Sequence, residues 1–470
     1  MPLQIINTDT KGLGLRVYLG TTDDVFVMKN ATVGSVDDDG ISGTGSGHRV
    51  AIHGDVVAES RGVVLGGAAA VNLGQEIIVN SGALVYGSDT GVSVIGYETT
   101  ISNAGLIASG YTAILLEGVS GYTVSTISNS GTIESYGYYG IKLDADATEK
   151  LVIENSGLIK STAYALYDAS AGAVEELTNT GRIHGKISFG GGDDLYDGTS
   201  GRLSGRIYGG EGDDRIFGGV DSEVFFGDEG DDTLHGYGGD DYLLGGEGAD
   251  QMEGGKGHDA FDVSDVGDVV VELAGQGTDL VYSDISYTLT KNVENLTFVS
   301  SADIDGVGNS LGNQIVGHSG SNTLKGLAGR DVLLGNSGAD RLEGGAEADK
   351  LTGGAGADKL YGGAGSDQFI FTDLTESTFS SSGRDTIFDF SRAQGDKIVL
   401  SSIDANDAAS DNQAFSFIGA SAFSGDKGEL RYTYNGSKTL IQGDDDGDGA
   451  ADFAILLSGK IALTSADFAL

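Results

Sequence analysis

The chain has 470 residues, among them 80 Gly and 1 Pro, with no Cys, no Trp and a formal net charge of −43. That balance argues against nucleic acid and anionic membranes, which select basic patches, and it favours cations as partners. Missing Cys excludes disulfide staples and thiolate zinc sites, while the scarcity of Pro and a Gly period other than three exclude collagen.

The first residues, MPLQIINTDTKGLGLRVYLG, carry no basic segment followed by an apolar run, so no Sec-type signal peptide is expected there. No stretch approaches the roughly 20 apolar residues of a membrane span. Across 1–188 a short motif recurs: VNSGALV around Asn80, SNAGLI around Asn103, SNSGTI around Asn129, ENSGLI around Asn155 and TNTGRI around Asn179. Its spacing is 23, 26, 26 and 24 residues, and the first four copies are each followed by a second apolar patch, such as YTAILLEG at 111–118. A period near 24 with short strands predicts an all-β, parallel β-helix-like solenoid, its asparagines stacked in turns where a left-handed backbone costs little. A β-sandwich also needs many short strands and is the alternative. Tyr122, Tyr136, Tyr138, Tyr139 and Tyr164 offer rings for sugar stacking, although strand tyrosines also simply pack.

From 189 a nine-residue word takes over: G-G-x-G-x-D-x-U-x, where U is a large apolar residue. One run begins at Gly209 with GGEGDDRIF and holds phase to Asp262, with an outlying copy, FGGGDDLYD, at 189–197. A second run fills 308–370. The expected order is therefore a first block at 189–262, a β-rich linker at 263–307 and a second block at 308–370. A β-rich cap follows at 371–470. In each word the glycines form a turn whose carbonyls point outward, Asp adds a carboxylate, and x-U-x is a three-residue strand with U inward. Two words make one coil, so turns two words apart stack on one edge. Oxygen-only ligands on flexible loops suit a hard cation, Ca2+ rather than Mg2+.

This nonad is the RTX repeat, and 189–370 resembles the calcium-dependent β-roll of that family of secreted bacterial proteins. The stretches DTIFDFSRAQGDKIVLSSIDAN and DDDGDGAADFAILLSGKIALTSADFAL resemble the C-terminal domain of serralysin-type proteins. That likeness implies a type I secretion signal ending in Asp467, Phe468, Ala469 and Leu470, and hence the type I apparatus as a partner. Carried onto this chain, the repeat implies several Ca2+ ions. In the first block they are held by Gly190, Gly192 and Asp194; Gly209, Gly212 and Asp214; Gly227, Gly230 and Asp232; Gly236, Gly239 and Asp241; Gly245, Gly248 and Asp250; and Gly254, Gly257 and Asp259. In the second block the ligands are Gly326, Gly329 and Asp331; Gly335, Gly338 and Asp340; Asp349; Gly353, Gly356 and Asp358; and Gly362, Gly365 and Asp367. Four words depart from the pattern and are expected to hold ions weakly or not at all. Asn313 and Asn322 replace Asp, Glu347 takes a Gly position, and GGVDSEVFF offers Asp221 and Glu223. GDDDGDGAAD places Asp444, Asp446 and Asp448 like half an EF-hand loop, but Ile455 stands where the closing Glu belongs.

No catalytic constellation is evident. GNSLG at 308–312 matches a nucleophile elbow but lies in nonad register, and H-E-x-x-H is absent. Secreted alginate epimerases also join a β-helix to RTX nonads, yet their Asp-Pro-His segment is impossible where Pro2 is the only proline. Arg61, Lys142, Lys150, Lys160 and Arg182 repeat at no single coil position. The histidines are scattered, with His235, His258 and His318 expected to face solvent. The sequence therefore reads as a secreted, extracellular or cell-surface calcium-binding RTX protein, a non-enzymatic adhesin, matrix or surface-layer component. A glycan ligand and self-association are the further expectations. The alternative is a polysaccharide-acting enzyme, a lyase or epimerase-like, with its site on the β-helix.

Overall fold

The computed structural model describes residues 3–470 apart from 13, 15, 22, 68–72, 119–122, 145–149 and 407–411, and Tyr122 thus lies outside the described residues. Strands dominate; the one helical element among the described residues is the 3-10 turn Ser465–Asp467. No helix is long and apolar enough to cross a membrane. Contacts divide the chain into two compact units, Met1–Asp259 with Gly267–Val270, and Ala260–Val266 with Val271–Leu470.

The first unit is a parallel β-solenoid. Each early coil contributes three strands, for example Thr100–Asn103, Leu106–Ser109 and Thr112–Glu117, and each strand pairs in parallel with its counterpart one coil later. One column of inward residues runs Val50, Ile77, Ile101, Ile127, Ile153, Leu177, Tyr196, Ile216, Leu234 and Met252, every neighbour in direct register. All ten are buried. Burying side chains of this size stabilises by about 1.5–3 kcal/mol each, which explains why the column persists while the coil around it shortens. Coil length falls from 26 residues at Ile101–Ile127 to 18 at Leu234–Met252, as three strands per coil become two.

The asparagine stack exists, with two corrections. Asn103, Asn129, Asn155 and Asn179 are in register and buried, and each Nδ2 donates to the next Oδ1 at 2.8, 2.7 and 2.8 Å. They end strands instead of occupying left-handed turns, for none of them has a positive φ. The amide ladder itself holds them. Asn80 is outside it: Val79 pairs with Asn103, and the Asn80 amide turns to the Ile52 carbonyl and His53.

In the second unit, Val281, Leu296, Ile315, Leu333, Leu351, Phe369, Ile398 and Phe468 form one parallel column, so 263–307 carries coil strands of its own. The opposite sheet stacks Leu324, Leu342, Leu360, Ile387 and Leu457. Beyond the nonads, Glu429–Asn435, Lys438–Asp444 and Phe453–Leu457 form an antiparallel meander joined to that sheet. Some nonad strands have the three residues expected, such as Arg215–Phe217 and Val332–Leu334, and others are longer. Thr233–Gly238 and Tyr242–Glu247 continue through the first three positions of the next word, where stacked glycines leave room for inter-coil hydrogen bonds. These include Gly212 N–H to the Glu229 carbonyl at 2.7 Å.

Candidate metal centre

Each nonad aspartate sits where the turn enters its strand, two residues before the buried U, and side chain and backbone together form a vertical chain. The N–H of Asp194 donates to Asp214 Oδ1, that of Asp214 to Asp232 Oδ1, and that of Asp232 to Asp250 Oδ1, at 2.7, 2.7 and 2.8 Å. On the other edge Glu223, Asp241 and Asp259 are linked the same way at 2.8 and 2.8 Å. The second block has two such columns: Asn313, Asp331, Asp349 and Asp367, and Asn322, Asp340 and Asp358.

The aspartates of these columns are at most 2% exposed, and Glu223 is 4% exposed. In Asp194, Asp214, Asp232, Asp241, Asp331, Asp340, Asp349, Asp358 and Asp367 the second oxygen, Oδ2, has no hydrogen-bond partner. Burial lifts Asp214 and Asp232 to about 8, Asp241, Asp340 and Asp349 to about 7, and Asp331 and Asp358 to about 6. The N–H bond to Oδ1 opposes that rise without cancelling it. A buried, unpartnered carboxylate oxygen requires a proton or a cation.

Glycine makes the approach possible. A Cβ on Gly227 would lie 2.1 Å from Asp232 Oδ2 and 2.4 Å from the Gly245 carbonyl; first-position glycines in Gly209, Gly236, Gly326 and Gly335 face the same pair of atom types. At the fourth position Gly248 has φ +138°, and a Cβ would meet the Gly230 carbonyl at 2.1 Å. Carboxylate and carbonyl oxygens therefore converge at these turns, a donor set that fits calcium.

The departing words differ as chemistry dictates. Asn313 Nδ2 donates to the Val293 and Glu294 carbonyls, and Asn322 Nδ2 to the Ile304 carbonyl, so an amide donor satisfies what a carboxylate would leave open. Glu223 is buried and accepts from the Gly219 N–H; Glu347 takes the fourth position with φ +73°. The columns also extend past the words. Asp358 N–H donates to Asp385 Oδ1 and Asp367 N–H to Asp396 Oδ1, and Asp385 Oδ2 is unpartnered. A D-x-U trace, Asp385-Thr-Ile387 and Asp396-Lys-Ile398, was the signal for them.

Other candidates resolve differently. Asp444, Asp446 and Asp452 bring ligand atoms within 4.8 Å of one another, so Asp452 and not Asp448 completes that trio. Both Asp444 oxygens already accept N–H bonds, from Gly447 and Gly449. Ser310 is exposed in a nonad turn, as are His258 and His318, whereas His235 is half-buried, stacked on Tyr237 at 3.8 Å. Tyr138, Tyr139 and Tyr164 join Tyr111, Tyr167 and Tyr208 in an outward stripe. Tyr139 stacks on Tyr164 at 6.0 Å, and Lys186 lies 5.5 Å over Tyr164 and 6.0 Å over Tyr208. Tyr136 is exposed and stands apart from the other rings among the described residues.

The RTX calcium-binding nonapeptide repeat family matches four times, at 206–222, 226–261, 307–342 and 334–369. No curated protein matches. Among solved structures, the AlgE6R2 subunit of the Azotobacter vinelandii mannuronan C5-epimerase is 25% identical, covering 36% of this chain and 92% of that one, with TM-score 0.18. The AlgE6R3 subunit is 26% identical over 34% and 80%, TM-score 0.15, and the extracellular lipase LipA from Serratia marcescens 20% identical over 57% and 40%, TM-score 0.22. The four repeat matches fall on the columns of buried aspartates, so the chain carries RTX calcium-binding nonapeptide repeats within 206–261 and 307–369, and such repeats bind calcium ions.

Proposed function

We propose that the protein leaves the cell unfolded through a type I apparatus, folds on calcium outside, and then holds a glycan on its first coils without altering it. The observation that carries the reading is the row of buried, unpartnered Asp Oδ2 atoms, with glycine carbonyls beside those of Asp214, Asp232, Asp241, Asp331, Asp340 and Asp349. Bound calcium supplies the positive charge those oxygens lack. Asp Oδ2 atoms and the first- and fourth-position glycine carbonyls are its ligands in this proposal. At submicromolar calcium the columns and the net charge of −43 repel, which keeps the chain open for passage through a narrow channel. At external, near-millimolar calcium, sites with dissociation constants of about 10⁻⁴ to 10⁻³ M fill. RTX repeats are characteristic of secreted bacterial proteins, and residues 371–470 serve in this proposal as the serralysin-like domain with its secretion signal.

The tyrosine stripe supports the glycan. Rings on successive coils present flat apolar faces, and Lys186, which has no ion pair among the described residues, adds a cation suited to an acidic sugar polymer. The test is a glycan array probed with the full chain in calcium. Acidic polysaccharides are expected to bind, and the Tyr139→Ala, Tyr164→Ala double variant to bind about tenfold more weakly, from two ring contacts at about 0.5–1.5 kcal/mol each. A blank array would contradict the glycan reading.

A polysaccharide-acting enzyme is the second reading. Glu117 favours it: half-buried, its carboxyl raised by burial and by Asp144, it has the character of a general acid. New unsaturated or epimerised residues in alginate or pectin incubated with the full chain would establish it.

A further inference from the structure

The first aspartate column does not begin at Asp194. The N–H of Glu175 donates to Asp194 Oδ1, just as Asp194 donates to Asp214 and Asp214 to Asp232. Register agrees: Leu177 pairs with Tyr196 and Tyr196 with Ile216, so Glu175 stands two residues before a buried apolar residue, like each nonad Asp. Residues 170–178, SAGAVEELT, thus occupy the place of a nonad, although only Gly172 is a glycine and the family match starts at 206.

Glu175 is 0% exposed, no N–H or O–H group donates to Oε1 or Oε2, and its carboxyl lies within hydrogen-bonding reach of the Asp168 carboxyl. The charges acting on it are Asp168, Asp194 and Asp214, all negative. Lys150 pairs with Glu176 and leaves Glu175 without a counter-ion. Asp168 is 3% exposed, held by the Ser170 N–H and hydroxyl. Gly190 opens the space: a Cβ there would lie 2.9 Å from Asp168 Oδ2 and 3.0 Å from the Ser170 carbonyl. A buried glutamate in contact with a second buried carboxylate, with a carbonyl beside them and no donor group bonding it, is an oxygen-only set that needs a shared proton or a hard cation.

We propose that Glu175, with Asp168 and the Ser170 carbonyl, forms a calcium site at the head of the first column, one coil before the nonads. It would bind the last three-strand coil to the same ion ladder that folds the roll, so the β-helix end is sealed only when calcium is present. The inference rests on the reading that nonad aspartates hold calcium, and its test separates the two. Bound calcium is counted by equilibrium dialysis on the full chain, on Glu175→Gln and on Asp241→Asn. The proposal expects each variant to bind at least one ion fewer than the parent. If Asp241→Asn loses an ion and Glu175→Gln does not, the site at Glu175 is overturned while the nonad reading stands. If neither loses one, the nonad reading fails and takes this site with it. Should Glu175→Gln lack β structure in saturating calcium, crystals of the parent chain grown in calcium decide. An anomalous peak beside Glu175 and Asp168 supports the site, and a carboxyl pair sharing a proton with no peak overturns it.

Discussion

At the sixth nonad position one atom separates two behaviours. Asn322 turns Nδ2 onto the Ile304 carbonyl and is complete, whereas Asp340, next in the same column, keeps Oδ2 buried and open. Asp340→Asn should therefore remain folded in calcium yet draw less from it. A site at tenfold excess of ligand contributes about 1.4 kcal/mol, so the gain in unfolding free energy between EGTA and calcium should shrink by about that amount in denaturant titrations. An unchanged gain would place the ion elsewhere. The same oxygens set a pH dependence. Burial raises Asp214 and Asp232 from 3.8 to about 8, so without calcium the folded chain holds protons that the unfolded chain has released. That stabilisation is complete below about 4 and gone above about 8. In EGTA, circular dichroism should thus report more β structure at pH 5 than at pH 8.5, and in calcium the midpoint concentration should rise on acidification, as protons compete for ligands. A calcium-free signal that grows with pH would contradict the sign.

At the scale of a coil, stability comes from columns, and columns reward register. Asn129 joins Asn103 and Asn155 through amide bonds of 2.8 and 2.7 Å. Asn129→Ala strands the Asn155 Oδ1 in a buried position, while Asn103 keeps its bond to the Thr132 carbonyl. A cost of about 1–3 kcal/mol is expected, read by chemical denaturation of the calcium-loaded chain, and a neutral variant would refute the ladder's role. Register also explains what the sequence disclosed. The nonads declared their coil, inward residue and aspartate columns because every word has the same length. Where coil length varies between 24 and 27 residues, along the column from Val50 to Leu177, motif and register part company. Asn80 carries the motif but stands one place past the column, and Tyr111, Tyr167 and Tyr208 join the stripe from unequal spacings. Glu175, Asp385 and Asp396 occupy column positions in words without the full set of glycines that marks the repeat, so a short acid-x-apolar trace was their one sequence signal and pairing placed them.

At the scale of the molecule, each nonad places one large apolar residue in the core and surrounds it with glycine, the residue that loses most freedom on ordering. Such words lack the apolar burial to fold unaided, and they carry buried like charges besides. The early coils differ: three strands each, continuous Ile and Val columns and satisfied amides, with no run of unpartnered carboxylates above Asp168 and Glu175 among the described residues. Calcium should therefore order the nonads far more than the coils before them. Hydrogen exchange on the full chain, followed segment by segment in EGTA and in millimolar calcium, tests this directly. The account predicts that amides of 194–259 and 313–369 exchange rapidly in EGTA and become protected in calcium, while those of 76–160 change little. Equal protection of the nonads with and without calcium would contradict it.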